Sequence, residues 1–206
     1  MTLEILHHGP LITKASKALI LLHGRGGTAQ GILSLADVLC DNQFYVAAPQ
    51  APNRTWYPYS FMSAETLNEP YLSESIDGIK KLIDETAAHI PLDQIYIAGF
   101  SQGACLSLEI SSRFATKYGG IIAFTGGLIG SAINEKKYKG QFEGTKVFIG
   151  TSEQDPHVPL ERVEQSKAFM EKKGAHVTLK VYKGTTHTVT QEEIIWAKQN
   201  ILFSDA

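Results

Sequence analysis

Cysteine is scarce in this chain, with only Cys40 and Cys105 among 206 residues. Both sit in apolar helical patterns, and neither has a C-x-x-C partner or metal-ligand spacing. A disulfide framework and a cysteine-held metal are therefore excluded, and buried thiols in a reducing compartment are expected; a single bridge between the two stays open. An excess of charge of either sign is also missing. Nineteen Lys and Arg stand against 21 Asp and Glu, for a formal net charge of -2. No cationic field exists to hold nucleic acid or an anionic membrane. Long apolar runs are absent as well: no segment approaches 18 uninterrupted apolar residues, and Met1 to His8 carries no basic stretch followed by an apolar one. No amphipathic membrane-binding helix stands out either. The expectation is a soluble cytoplasmic protein without stable membrane insertion. No internal repeat, low-complexity tract or linker-like shift interrupts the chain. A hydrophobic content of 43% is enough for a sizeable core, so residues 1–206 are expected to form one domain.

What is present is an alternation. Apolar runs recur at Ala18 to Leu22, Tyr45 to Ala48, Ile95 to Ala98, Ile121 to Phe124 and Val147 to Ile149, as in strands buried on both faces. Amphipathic stretches with apolar residues at three- and four-residue intervals lie between them, over 28–40, 73–89, 102–117 and 159–173. Leu3 to Ile5 and Val177 to Tyr182 alternate apolar with polar, as strands nearer a sheet edge do. The pattern predicts an α/β fold with a mostly parallel central sheet flanked by helices on both faces. Two connections are long, 49–72 and 125–144, and long loops in a compact domain usually carry function. The first holds Trp56, Tyr57, Tyr59, Phe61 and Tyr71, and it is expected to wall an apolar pocket; sealing of the loop onto the core is the competing explanation.

Gly99-Phe100-Ser101-Gln102-Gly103 directly follows the Ile95 to Ala98 run and leads into a helical stretch. The bare pattern is weak, since about one shuffled chain of this composition in ten would contain G-x-S-x-G. Its strand-to-helix context is what reads as a nucleophile elbow, where bulkier residues two positions from the serine would collide with the strained turn. A serine hydroxyl needs a histidine to take its proton and a carboxylate to orient that imidazole. In α/β-hydrolases these follow in the order acid, then histidine. After Ser101 the only aspartates are Asp155 and Asp205, and Asp205 follows every histidine. Asp155, just beyond the Val147 to Ile149 run, is the choice, with Glu153 as the fallback. Of the three later histidines, His157 is two residues from Asp155 and His176 opens a strand. His187 lies in the loop after that strand, on the sheet edge where such folds build their sites.

The tetrahedral intermediate needs two donors. One is expected from the backbone N–H of Gln102. The glycine-rich loop Leu22-His23-Gly24-Arg25-Gly26-Gly27 is the candidate for the other, with His23 bracing it. This loop matches neither dinucleotide nor Walker spacing, which argues against a nucleotide.

Together, Leu22 to Gly26, Gly99 to Gly103, Asp155-Pro156-His157-Val158-Pro159 and His187 resemble the phospholipase/carboxylesterase family of α/β-hydrolases, relatives of acyl-protein thioesterases. The resemblance spans essentially the whole chain, with Ala104 where the family often has a further glycine. It implies hydrolysis of a small-molecule carboxylic ester by Ser101, Asp155 and His187. Thioester and lysophospholipid cleavage are open variants of the same chemistry. It also implies backbone donors from Arg25 and Gln102. No metal or organic cofactor is expected. Trp56, Tyr57, Phe61 and Met62 are the candidates for lining the pocket, and Arg25 and Arg54 for meeting an acidic substrate group. A homodimer is compatible with the sequence. Two alternatives stay open: a dienelactone-hydrolase-like lactonase, although such enzymes carry cysteine at the elbow, and a non-catalytic ligand-binding protein on a hydrolase scaffold.

Overall fold

The computed structural model describes residues 3–203. Strands β1 (Glu4–His8), β2 (Lys17–Leu22), β3 (Phe44–Gln50), β4 (Ile95–Phe100), β6 (Gly120–Phe124), β8 (Lys146–Ser152) and β9 (His176–Tyr182) build a seven-stranded sheet. Two short strands between them, β5 (Phe114–Ala115) and β7 (Lys139–Gly140), pair separately. The main sheet runs in the order β1-β3-β2-β4-β6-β8-β9. Every pairing in it is parallel except that of β1 with β3.

Residues Ala18 to Leu22 and Ile121 to Phe124 are fully buried, because helices cover both faces and no position along these strands meets water. The alternating strands β1 and β9 take the two edges, where one face is open. On one face pack α4 (Tyr71–Ala87), α5 (Gln102–Arg113) and α6 (Leu160–Lys172), which contribute Ile76, Ile79, Leu106, Ile110, Val163 and Met170 to the core. On the other face α1 (Ala29–Ile32), α2 (Ser34–Leu39) and α7 (Gln191–Ala197) contribute Ile32, Ala36, Leu39 and Ala197. A single turn, α3 (Glu65–Asn68), precedes α4.

The helices depart from the sequence reading in three places. The stretch 28–40 forms two short helices, because Ala36 N–H reaches Leu33 O and this i→i+3 bond interrupts the α-helical ladder. Helix α5 ends at Arg113, since Phe114 turns to an extended pairing with Lys139. The terminal helix α7 lies beyond the elements expected. The loops after β2, β4, β8 and β9 all leave the carboxyl edge of the parallel strands, so stretches distant in sequence meet there.

Candidate active site

The turn between β4 and α5 is as tight as its glycines suggest. Ser101 sits at φ 53° and ψ −116°, a conformation that strains an L residue, and it is held from both sides. Its N–H donates to Phe124 O on β6, and its carbonyl accepts from Cys105 N–H in the first turn of α5. A β-carbon on Gly99 would come within 2.4 Å of the Gly103 carbonyl carbon. The flanking residues must therefore be glycine for the hydroxyl to be lifted clear of the sheet.

Ser101 Oγ lies 2.8 Å from Nε2 of His187, and Nδ1 of His187 lies 2.7 Å from Asp155 Oδ2. A carboxylate only accepts, so Nδ1 carries the proton and Nε2 is free to accept from the serine hydroxyl. The other carboxylate oxygen, Oδ1, accepts from the backbone N–H groups of His157 (2.8 Å) and Val158 (2.9 Å). Asp155 is thus fully buried and fixed by three donors, while His187 keeps 19% of its side chain exposed. The loops bearing the two residues are tied together. Glu153 N–H donates to Tyr182 O, Gln154 N–H to Gly184 O, and Ser152 Oγ–H to Thr186 O. Glu153 is exposed and its carboxylate takes no part in these bonds, His176 is exposed at the start of β9, and Asp205 lies outside the described residues. The ring of His157 packs edge-on against that of His187 at 4.8 Å.

The loop after β2 runs beside the elbow, so close that a β-carbon on Gly24 would stand 3.4 Å from Ser101 Cβ. Its brace is His23, buried under the sheet edge. Nε2 accepts from Ala51 N–H at 3.1 Å, which leaves Nδ1–H to donate to Gly24 O at 2.7 Å. Burial pushes the pKa of this imidazole down, against the smaller opposing effect of the Gly24 carbonyl. Gly26 N–H donates to Arg54 O and Gly27 N–H to Gly24 O, whereas Arg25 N–H has no acceptor among the described residues. Gln102 opens α5, where N–H groups have no intrahelical acceptor and the helix dipole is positive.

A cleft of about 460 Å3 opens over Ser101, lined by Arg25, Tyr57, Tyr59, Phe61, Phe100 and His157, with Cys105 and Val158 among its other residues. Of the four aromatic-loop residues expected there, the structure brings Tyr57 and Phe61 to it. Trp56 is not in that lining. Its indole is 1% exposed, turned behind the loop so that Nε1–H donates to His23 O, because a buried indole nitrogen takes the nearest free carbonyl. Met62 lines a different cleft, of about 500 Å3, with Ile133 and Arg162. Tyr59, named with the aromatic loop expected to wall a pocket, lines the cleft as well, and Phe100 is a cleft residue the sequence reading did not single out as pocket-lining. Arg25 points its guanidinium at the main chain, donating to Pro58 O (2.7 Å) and Tyr59 O (2.6 Å). Among the described residues no group of three or more His, Cys, Asp or Glu side chains is placed to hold a metal ion, and no helix is long and apolar enough to cross a membrane.

Comparison with known proteins identifies the family and the fold. The model of the phospholipase/carboxylesterase family matches residues 10–203. The chain is 29% identical over 205 residues to acyl-protein thioesterase 1 of Debaryomyces hansenii, covering 87% of this chain and 88% of that one. It is also 29% identical to acyl-protein thioesterase 1 of Saccharomyces cerevisiae, with 89% and 90% covered. A crystal structure of a phospholipase/carboxylesterase from Dyadobacter fermentans superposes with a TM-score of 0.95 at 48% identity, over 98% of this chain and 97% of that one. The Bacillus cereus carboxylesterase shares the fold, at a TM-score of 0.77 and 21% identity over 95% and 92% of the two chains. The chain therefore belongs to the phospholipase/carboxylesterase family of α/β-hydrolases and is a carboxylic ester hydrolase.

Proposed function

We propose that Ser101 is the nucleophile, His187 the general base and acid, and Asp155 the residue that orients His187. The observation that supports this most is the unbroken chain of short hydrogen bonds from Ser101 Oγ through both nitrogens of His187 to Asp155. Ser101 Oγ attacks the ester carbonyl as its proton passes to His187 Nε2, and Asp155 stabilises the imidazolium that forms. The carbonyl oxygen becomes an oxyanion that accepts from the backbone N–H groups of Arg25 and Gln102. Collapse breaks the bond to the leaving oxygen, which takes the proton from His187. Water, deprotonated by the same nitrogen, then attacks the acyl-enzyme, and the acid departs as Ser101 regains its proton.

Tyr57, Tyr59, Phe61 and Phe100 give the cleft an apolar lining suited to the acyl or alcohol part of a short or medium apolar ester. A thioester presents the same carbonyl to the same donors, and the thioesterase names of the yeast relatives support that variant. The whole chain works as one α/β-hydrolase domain in the cytoplasm, a placement supported by two free cysteines rather than a bridge. Ser101→Ala is expected to abolish hydrolysis of p-nitrophenyl butyrate while leaving the circular dichroism spectrum unchanged. A variant that keeps most of the activity contradicts the assignment.

A further inference from the structure

The segment Trp56 to Tyr59 has almost no backbone pairing of its own, yet four consecutive carbonyls in it are capped by side chains from elsewhere. Ser75 Oγ–H donates to Trp56 O (2.7 Å) and Gln102 Nε2–H to Tyr57 O (2.8 Å). Arg25 donates to Pro58 O and Tyr59 O, and its guanidinium lies 5.9 Å from the centroid of the Tyr57 ring. Gln102 also accepts from Trp56 N–H at 3.0 Å. The segment is thus bound by the side chains of Gln102 and Arg25, the same two residues whose backbone N–H groups face the oxyanion in the proposed mechanism. A third tie, Gly26 N–H to Arg54 O, joins the two loops beside them.

We infer that Arg25 is a positioning residue: its forked side chain locks the Tyr57–Tyr59 wall of the cleft to the oxyanion loop, and so holds its own backbone N–H in line. The inference rests on the mechanism proposed above. A guanidinium is suited to this because its rigid fork reaches two carbonyls at once, which an ammonium on a flexible stem does not reproduce. With two donors engaged by main chain, the side chain is committed to the loop rather than to an acidic substrate. Since misplacing a reacting group or donor by about 1 Å costs up to about 100-fold in rate, release of the fork acts on kcat.

The test compares the parent with Arg25→Ala and Arg25→Lys on p-nitrophenyl acetate, whose acyl group is too short to lean on the wall, on p-nitrophenyl hexanoate, and on mono-p-nitrophenyl glutarate, which carries a carboxylate. Inhibition by a short trifluoromethyl ketone, whose hemiketal oxyanion occupies the same donors, is measured alongside. We expect kcat on the acetate to fall about tenfold or more in Arg25→Ala, and the ketone to weaken by a similar factor. Arg25→Lys should recover only a minor part of either. Three results would overturn the inference: an unchanged acetate kcat with only the hexanoate KM raised, full recovery by lysine, or a loss confined to carboxylate-bearing esters. Should Arg25→Ala fail to fold, Arg25→Lys decides alone, with parental acetate kcat and ketone affinity counting against the fork. A parent without Ser101-dependent hydrolysis would instead sink the underlying mechanism, so the two failures are told apart.

Discussion

Gly103 lies so close to the end of β2 that a β-carbon on it would stand 2.2 Å from the Leu22 carbonyl oxygen. This contact sets how near α5 approaches the glycine-rich loop after β2, because Leu22 leads directly into His23 and Gly24. Both neighbours are main chain, so neither yields without moving β2 or the elbow.

Gly103→Ala is therefore expected to destabilise the protein by about 3 kcal/mol or more and to lower kcat in whatever fraction folds. Thermal unfolding and ester turnover measured on the same sample check it. A variant with parental melting temperature and kcat would show that the approach is not tight.

His23 ties the acid stability of the protein to the glycine-rich loop after β2. Its pKa is lowered from the ordinary 6.5 by burial, so as pH falls below 6.5 the unfolded chain takes up a proton that the folded ring resists. The stabilisation is fully present above pH 6.5 and is lost as pH falls from there through the lowered folded value. The drop in melting temperature between pH 7.5 and 5.5 should accordingly be smaller in His23→Gln than in the parent. Equal drops would mean that His23 titrates alike in both states.

Glu109 is fully buried on α5, where Oε1 lies 2.7 Å from both Arg113 Nε and Lys137 Nζ, and Oε2 accepts from Ile129 N–H and Tyr138 O–H. It pins the long 125–144 loop to the core. Glu109→Gln removes the charge that compensates two cations, leaving Glu65 to face both. A loss of about 3 kcal/mol is expected, at the low end for breaking a buried pair because Arg113 and Lys137 remain partly exposed. Urea unfolding measures it, and a change below about 1 kcal/mol would contradict the reading.

Asp155→Asn should leave the shape of its loop intact, since the amide oxygen still accepts from His157 and Val158 N–H. Its NH2 group, however, faces Nδ1 of His187 as a donor, which drives the imidazole proton to Nε2 and blocks it from the serine. We expect kcat to fall by about 10,000-fold with a near-parental melting temperature. A decrease of less than about tenfold in steady-state turnover would count against the orienting role of Asp155.

The alternation of doubly buried strands with amphipathic helices was legible because its cause is local: a strand covered on both faces is apolar along most of its length. That Ser101, Asp155 and His187 meet was legible for a different reason. The serine needs flanking glycines, and aspartates and histidines are so few after it that position along the chain separates them. The aromatic loop was harder, since composition does not say which way a ring turns. Trp56 went inward to His23 O, and the carbonyls of Pro58 and Tyr59 turn to the guanidinium of Arg25, far away in sequence. Helix α7 did carry a local signal that went unused. Thr190 and Glu193 form a capping box ahead of Ile194 and Ile195, in the T-x-x-E spacing that announces a helix start.

The most direct test of the catalytic account is to label the protein with a fluorophosphonate and locate the adduct by mass spectrometry, in the parent and in His187→Ala. The account predicts one adduct on Ser101, formed rapidly in the parent and slowed by at least about 100-fold in His187→Ala, because Nε2 is what activates the hydroxyl. No adduct on a folded parent, or labelling of Ser101 at the same rate without His187, would contradict it.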